Sequence, residues 1–452
     1  MSRAGGTDVC VVGGGLAGIA AAVRLADRGA RVTMLEARPE FGGAARSLRR
    51  GDLVADTGQH VFLRCYHRYR ELLDRLGVAG SVELQDRFAV PVLSPGRPPH
   101  TLVRGDLPAP LHLLGALTRY RLLSGGERLA AVRAAAALRR VDPDERANDA
   151  TTFGAWLRSH GQGPRAVRYL WDLIAVASLN LASERASLAS AARVFRTGLL
   201  ERADAGDIGR PTVPLADLHG GAARALLERM GVRVLTRTRA RGISAGPGGF
   251  TVDTGTAAVS AGGVVLAVPH RIAAHLVPPG AVADPGRWAG LGSSPIVNVH
   301  LRYSRPVTDL PFAAAVESPT QWVFDRSGPG CERGQYLVVS LSAADAQVAR
   351  PAAALVREQA AALADLFPAA RSTRLLDAFV TREPHATFRP APGSRSLRPG
   401  PRTALPGLAL AGAWTDTGWP DTMEGAVRSG QQAAEVAAHH LSGRPRPPEA
   451  PR

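Results

Sequence analysis

The chain has 452 residues, 45% of them hydrophobic and 21% charged, which allows about two to four folding units with a large core and excludes wholesale disorder. The net charge is +16, yet all 55 basic residues are arginine, so a lysine Schiff base, a P-loop lysine and a lysine general base are excluded. That charge is spread along the chain without a recognition module; it reads as the codon drift of a GC-rich genome and predicts no nucleic-acid partner.

Cys10, Cys65 and Cys331 are widely spaced and form no CxxC, which argues against a disulfide framework or a structural zinc and for a reducing, cytoplasmic compartment. No uninterrupted apolar run reaches about 18 residues, so no transmembrane helix is expected. The apolar run that starts at Val9 is broken by three glycines and is not read as an export signal.

Val9-Cys10-Val11-Val12 predicts a short buried strand. It runs into Gly13-Gly14-Gly15-Leu16-Ala17-Gly18 and an Ala-rich helix from Ile19 to Arg28, ended by Gly29. Residues 31–35 predict a second strand, which ends at Glu36. This is G-x-G-x-x-G inside a βαβ unit. Gly13 serves the tight turn, Gly15 the approach of a pyrophosphate, and Gly18 the packing of helix on strand. The helix N-terminus faces the phosphates, and Glu36 falls where an acid accepts from ribose hydroxyls. A second glycine pair, Gly42-Gly43, follows the acid and allows another close approach to a dinucleotide.

Further on, Leu111, Leu114 and Leu117 share one helical face, and Ser124-Gly125-Gly126-Glu127 has the form of a capping box opening a second helix. Arg119, Arg121, Arg133, Arg139 and Arg140 decorate the pair. Two readings stand: a monotopic patch on an anionic membrane, or a helix pair with a solvated arginine face. Residues 231–235 and 238–243 predict a pair of strands, and residues 264–269 another buried strand. Residues 407–413 predict a strand ending in a turn, residues 414–421 a loop, and residues 422–430 the start of a last long helix with Thr422 near its cap.

The segment from Glu36 through Gly42-Gly43 resembles the extended FAD signature of the flavin amine oxidase and phytoene desaturase superfamily. Arginine usually follows the glycine pair there; here Ala44 does, with Arg46 two positions on. Ala55-Asp56-Thr57-Gly58-Gln59-His60 is similar to the D-x-G-Q-H segment of the squalene-associated FAD-dependent desaturases, the hydroxysqualene dehydroxylases. Trp171-Asp172-Leu173, Leu179-Asn180, residues 184–187, Gln321-Trp322 with residues 323–326, Arg382-Glu383 and residues 386–388 agree. The resemblance runs from about Thr7 to about His440.

It implies FAD as cofactor, held by Gly13, Gly15, Leu16, Ala17, Gly18, Glu36, Ala37, Gly42, Gly43, Ala44, Arg46, Gly58, Gln59, His60, Ala240, Gly412, Met423, Glu424 and Ala426. Ala240 falls at the family's adenine-contacting position, beside the strands that flank adenine. Ala413 stands where the family carries an acid. The implied fold is α/β: a Rossmann-like doubly wound FAD-binding domain with an inserted α+β substrate domain. The FAD domain takes residues 1–95, 205–275 and 385–440. The substrate domain takes 96–204, helical and with the membrane contact, and 276–384. The tail 441–452, rich in arginine and proline, is expected to be disordered.

The implied reaction is reductive dehydroxylation of hydroxysqualene to squalene by hydride from reduced FAD, in squalene and hopanoid biosynthesis. Hydroxide leaves poorly, so an acid must protonate it, and water must be kept from the allylic cation. A long apolar tunnel would meet that need. His60 is the first candidate acid, because an imidazole titrates near working pH; Asp421 and Glu424 border the other side. No metal is implied, and the electron donor is not legible. The resulting localisation is cytoplasmic, either free or peripheral on the inner face of the cytoplasmic membrane. The rivals are a carotenoid- or phytoene-type desaturase and a flavin amine oxidase, whose usual lysine this chain lacks.

Overall fold

The computed structural model describes residues 7–328 and 334–442; Cys331 and the arginine- and proline-rich tail from 443 lie outside them. The N-terminal unit forms as its sequence requires. β1 (Thr7–Val12) carries fully buried Val9, Cys10 and Val11. It leads into α1 (Leu16–Asp27), and β2 (Val32–Leu35) returns parallel to β1. Burial on both faces is why these strands read as continuous apolar runs.

The sheet grows on both sides. Strand Arg233–Leu235 pairs parallel with β2, and Ala258–Leu266 pairs parallel with the other side of β1. The last part of Ala258–Leu266 pairs with Leu408–Leu410, and its first part with the antiparallel strands Gly249–Asp253 and Gly242–Gly246 beyond. The expected strand pair at 231–235 and 238–243 is therefore corrected. Arg233–Leu235 and Gly242–Gly246 lie at opposite edges of one sheet, and residues 236–241 cross between them. Both runs are apolar enough for strands, but pairing is decided by partners far along the chain, which local pattern does not carry.

The last helix, Met423–Ser442, closes this domain by lying on α1. The two backbones meet so closely at Gly430 that a Cβ there would sit 2.0 Å from the Ala17 carbonyl oxygen. Only glycine fits that crossing.

A second sheet has the order Leu375–Thr387, Ser294–Tyr303, Gln335–Leu341, Trp322–Asp325, Phe312–Ala315, Ala89–Leu93 and His100–Val103. Ala89–Leu93 thus belongs to the second sheet although it precedes residue 95. One face of this sheet is packed by helix Ala352–Leu366. Helices between Leu114 and Phe195 form a separate core around Phe153, Trp171 and Phe195. The capping box holds: the Ser124 hydroxyl accepts from Glu127 N, and Glu127 accepts from Ser124 N at 2.7 Å.

Two selective motifs are latches of this domain. Asn180 ends helix Asp172–Leu179 at φ 52°, donates to the Ser294 carbonyl and Thr387 hydroxyl, and accepts from Ala343 N at 2.5 Å. Gln321 exchanges two hydrogen bonds with the Ser342 backbone.

Candidate cofactor and active site

The N-terminal end of α1 has no side-chain cap and no acidic residue in its first turn. Its N–H groups and dipole are left for an anion. Gly13 at φ 110° turns the chain, and a Cβ at Gly18 would sit 1.9 Å from the Gly13 carbonyl oxygen, so Leu16 and Ala17 are buried tight against β1. Glu36, at the end of β2, accepts from Gly14 N at 2.6 Å and from Arg38 N at 2.7 Å. Each oxygen keeps lone-pair capacity for a ribose hydroxyl. Gly42 N donates to the Gly14 carbonyl, and Arg38 donates to the Gly43 carbonyl, which closes the second glycine pair onto the first loop. Ala37 and Ala44 lie exposed on this rim. The crossing segment passes over it: Arg237 N and Thr238 N donate to the Arg38 and Glu36 carbonyls. Ala240, further along that segment, packs against the core cluster that contains Leu35.

Thr57 ties the next motif to this rim, its N and Oγ1 both donating to the Arg46 carbonyl and Oγ1 also to the Ala44 carbonyl. Arg46 pairs with Glu383 at 3.2 Å, but its Nε is buried and unpartnered. Burial, with Arg38 nearby, holds its pKa below the usual arginine range. Gln59 Nε2 is likewise buried and unpartnered. Two orphaned donors beside a double glycine cradle fit FAD, whose phosphates and ring carbonyls accept.

The ring of His60 bonds the Gly58 carbonyl through Nδ1 at 3.0 Å. A carbonyl only accepts, so Nδ1 carries the proton and Nε2 of the neutral ring is an acceptor. Burial pushes the imidazole pKa down, against the Gly58 carbonyl and Asp56. A neutral His60 accepts rather than gives a proton near pH 7. It lines a small surface cleft with Gln59, Arg210, Phe324 and Arg326. Behind it, Asp56 accepts from Ser47 and Leu215 N and pairs with Arg326 at 2.5 Å, which ties the small strand pair Ser47–Arg50 and Leu53–Asp56 to the end of strand Trp322–Asp325 in the second sheet.

On the other side, the Thr422 hydroxyl accepts from Gly425 N at 3.1 Å and caps the last helix. Gly412 N donates to Ser429 in that helix. Met423 is buried and Ala426 half-buried. Glu424 does not face an open site. Its carboxylate is fully buried, accepts from Arg68 N and Tyr69 N at the start of helix His67–Leu76, and pairs with Arg428 at 2.6 Å. Asp421 differs. One oxygen accepts from Phe388 N at 2.9 Å, and the other has no partner among the described residues. Burial pushes its pKa up to about 6, against the Phe388 N–H and Arg398. Arg398, invisible to sequence reasoning, donates to the carbonyls of Ala413, Trp414, Thr415 and Trp419, and so sets the loop that carries Asp421. Glu424, with the edge-on contact of Tyr66 and Trp419, ties the start of helix His67–Leu76 to the C-terminal segment.

A family model described as flavin containing amine oxidoreductase matches residues 16–438. The chain belongs to this family. Like its flavin amine oxidoreductase relatives it is an FAD-dependent oxidoreductase. It is 30% identical over 456 residues to a hydroxysqualene dehydroxylase of Rhodopseudomonas palustris, covering 95% of this chain and 97% of that one. It is 26% identical to a zeta-carotene desaturase of Arabidopsis thaliana, over 94% of this chain and 84% of that one. The fold matches cyclohexylamine oxidase of Brevibacterium oxydans with a TM-score of 0.74 at 20% identity, covering 97% of this chain and 100% of that one. The doubly wound FAD domain with an inserted substrate domain is thus the flavin amine oxidoreductase architecture.

Proposed function

We propose that the chain removes an allylic hydroxyl reductively from a hydroxysqualene-type isoprenoid. The observation that carries this reading is the likeness, over nearly the full length, to a hydroxysqualene dehydroxylase. FAD, once reduced, supplies the hydride. Glu36, the α1 N-terminus, Arg46 and Gln59 hold the cofactor. Asp421 gives its proton to the departing hydroxyl, which leaves as water. His60, neutral, accepts a hydrogen bond and orients. The balance is an alcohol, a proton and a hydride giving a hydrocarbon and water.

The test is to mix reduced enzyme with hydroxysqualene anaerobically. Squalene forming in step with flavin reoxidation is the expected result, and no squalene would overturn the reading. The likeness to a zeta-carotene desaturase supports a second reading, oxidative desaturation. Phytoene consumed by the oxidised enzyme, with hydroxysqualene inert, would favour it.

We also propose that the enzyme collects its substrate at a membrane surface. No helix among the described residues is long and apolar enough to cross a membrane. Leu107, Leu111 and Leu129, however, are three of the six exposed large hydrophobic side chains among the described residues, and they lie close in sequence to exposed Arg119, Arg121, Arg133, Arg139 and Arg140. Leucine insertion with arginine attraction to anionic lipid favours interfacial binding. Replacing the three leucines by glutamine is expected to lower co-sedimentation with anionic vesicles by about tenfold or more at low salt. Undiminished binding by the variant would refute this face.

A further inference from the structure

Asn298 stands on strand Ser294–Tyr303 of the second sheet and is fully buried. Its Nδ2 donates to the Thr57 carbonyl at 2.9 Å. A carbonyl only accepts, so the amide orientation is fixed and Oδ1 faces the other way. That oxygen is buried and has no partner. A buried acceptor without a donor is costly and calls for an explanation.

Its surroundings supply one. Thr57 bonds the Arg46 carbonyl through both N and Oγ1, and Gln59 is two residues beyond. The orphaned Arg46 Nε, Gln59 Nε2 and Asn298 Oδ1 are therefore linked through one residue. Two of these atoms need acceptors and the third needs a donor. Phosphates alone would satisfy only the first two. A flavin ring offers both kinds of group, carbonyl oxygens and ring N–H.

We propose that Asn298 is a flavin-contacting residue contributed by the substrate sheet, its Oδ1 accepting from a ring N–H of bound FAD. The segment Ala44–His60 and strand Ser294–Tyr303, joined by the Asn298–Thr57 bond, would then both border the ring. This inference rests on FAD binding, and the visible absorbance of the purified protein tests that separately: a colourless protein that takes up no FAD fails there.

Among all 452 residues asparagine occurs only at 148, 180 and 298. In protein labelled with carbon-13 at the asparagine side-chain carbonyl, FAD added to the flavin-free chain is expected to move one carboxamide band to lower frequency in the infrared difference spectrum. That band should be absent from Asn298→Leu. The same variant is expected either to bind FAD about tenfold more weakly or to shift the flavin midpoint potential by about 30 mV, the two-electron equivalent of tenfold. Asn298→Asp, which keeps an acceptor oxygen and is expected to be protonated when buried, should stay within about threefold in affinity. A wild-type carboxamide spectrum unmoved by FAD that visibly binds would overturn the proposal. So would a folded Asn298→Leu protein with unchanged affinity and potential.

Discussion

Asp421→Asn is expected to lower kcat for dehydroxylation by about 10²- to 10⁴-fold, the usual contribution of a positioned acid. The pH profile gives the sign. The acid works protonated, and its pKa is pushed up to about 6, so wild-type kcat should be high below pH 6 and fall above it. The asparagine variant should be flat across that range. With pH, stability should move in the same direction as activity. The native carboxyl binds its proton more tightly than the unfolded one does, so the wild type gains stability as pH falls from about 6 toward 4, and ionisation opposes folding above that window. Asparagine removes the opposition, and Asp421→Asn should be no less stable than wild type at pH 8. An equal loss of activity and stability would mean that Asp421 is a structural anchor for Phe388, not a proton donor.

Glu424→Ala should cost about 1–3 kcal/mol in reversible denaturation, because it leaves the N–H groups of Arg68 and Tyr69 without an acceptor and takes the partner from a half-buried Arg428 guanidinium. Glu424→Gln keeps an acceptor and should cost less. What remains folded should turn over at close to the wild-type kcat. A Glu424→Gln enzyme of normal stability but with kcat reduced a hundredfold would return this residue to the list of acids.

The cofactor end of the site was legible because its chemistry is local. The requirements at Gly13, Gly15 and Gly18 and the acid at Glu36 are fixed by backbone geometry within one βαβ unit. The different settings of His60, Asp421 and Glu424 were not legible, because that of His60 depends on burial and those of the two acids on partners far away in the chain. Glu424 faces Arg68 and Tyr69, and Asp421 faces Phe388. Arg398 carried no signal, since four carbonyls leave no mark on side-chain pattern. The strands at 233–235 and 242–246 were visible as strands, but their separation to opposite edges was set by β1 and β2.

The meeting of Ala17 with Gly430 sets a timetable for biogenesis. α1 leaves the ribosome about 400 residues before the helix that covers it. At roughly 5–20 residues per second, about 20–80 s separate them. Throughout that interval Ile19, Ala20 and Val23 lack their final cover, and the dinucleotide cradle lacks its closing wall. Cofactor capture therefore waits until the helix Met423–Ser442 has been made, and the nascent N-terminal unit depends on being kept from aggregating until that helix arrives.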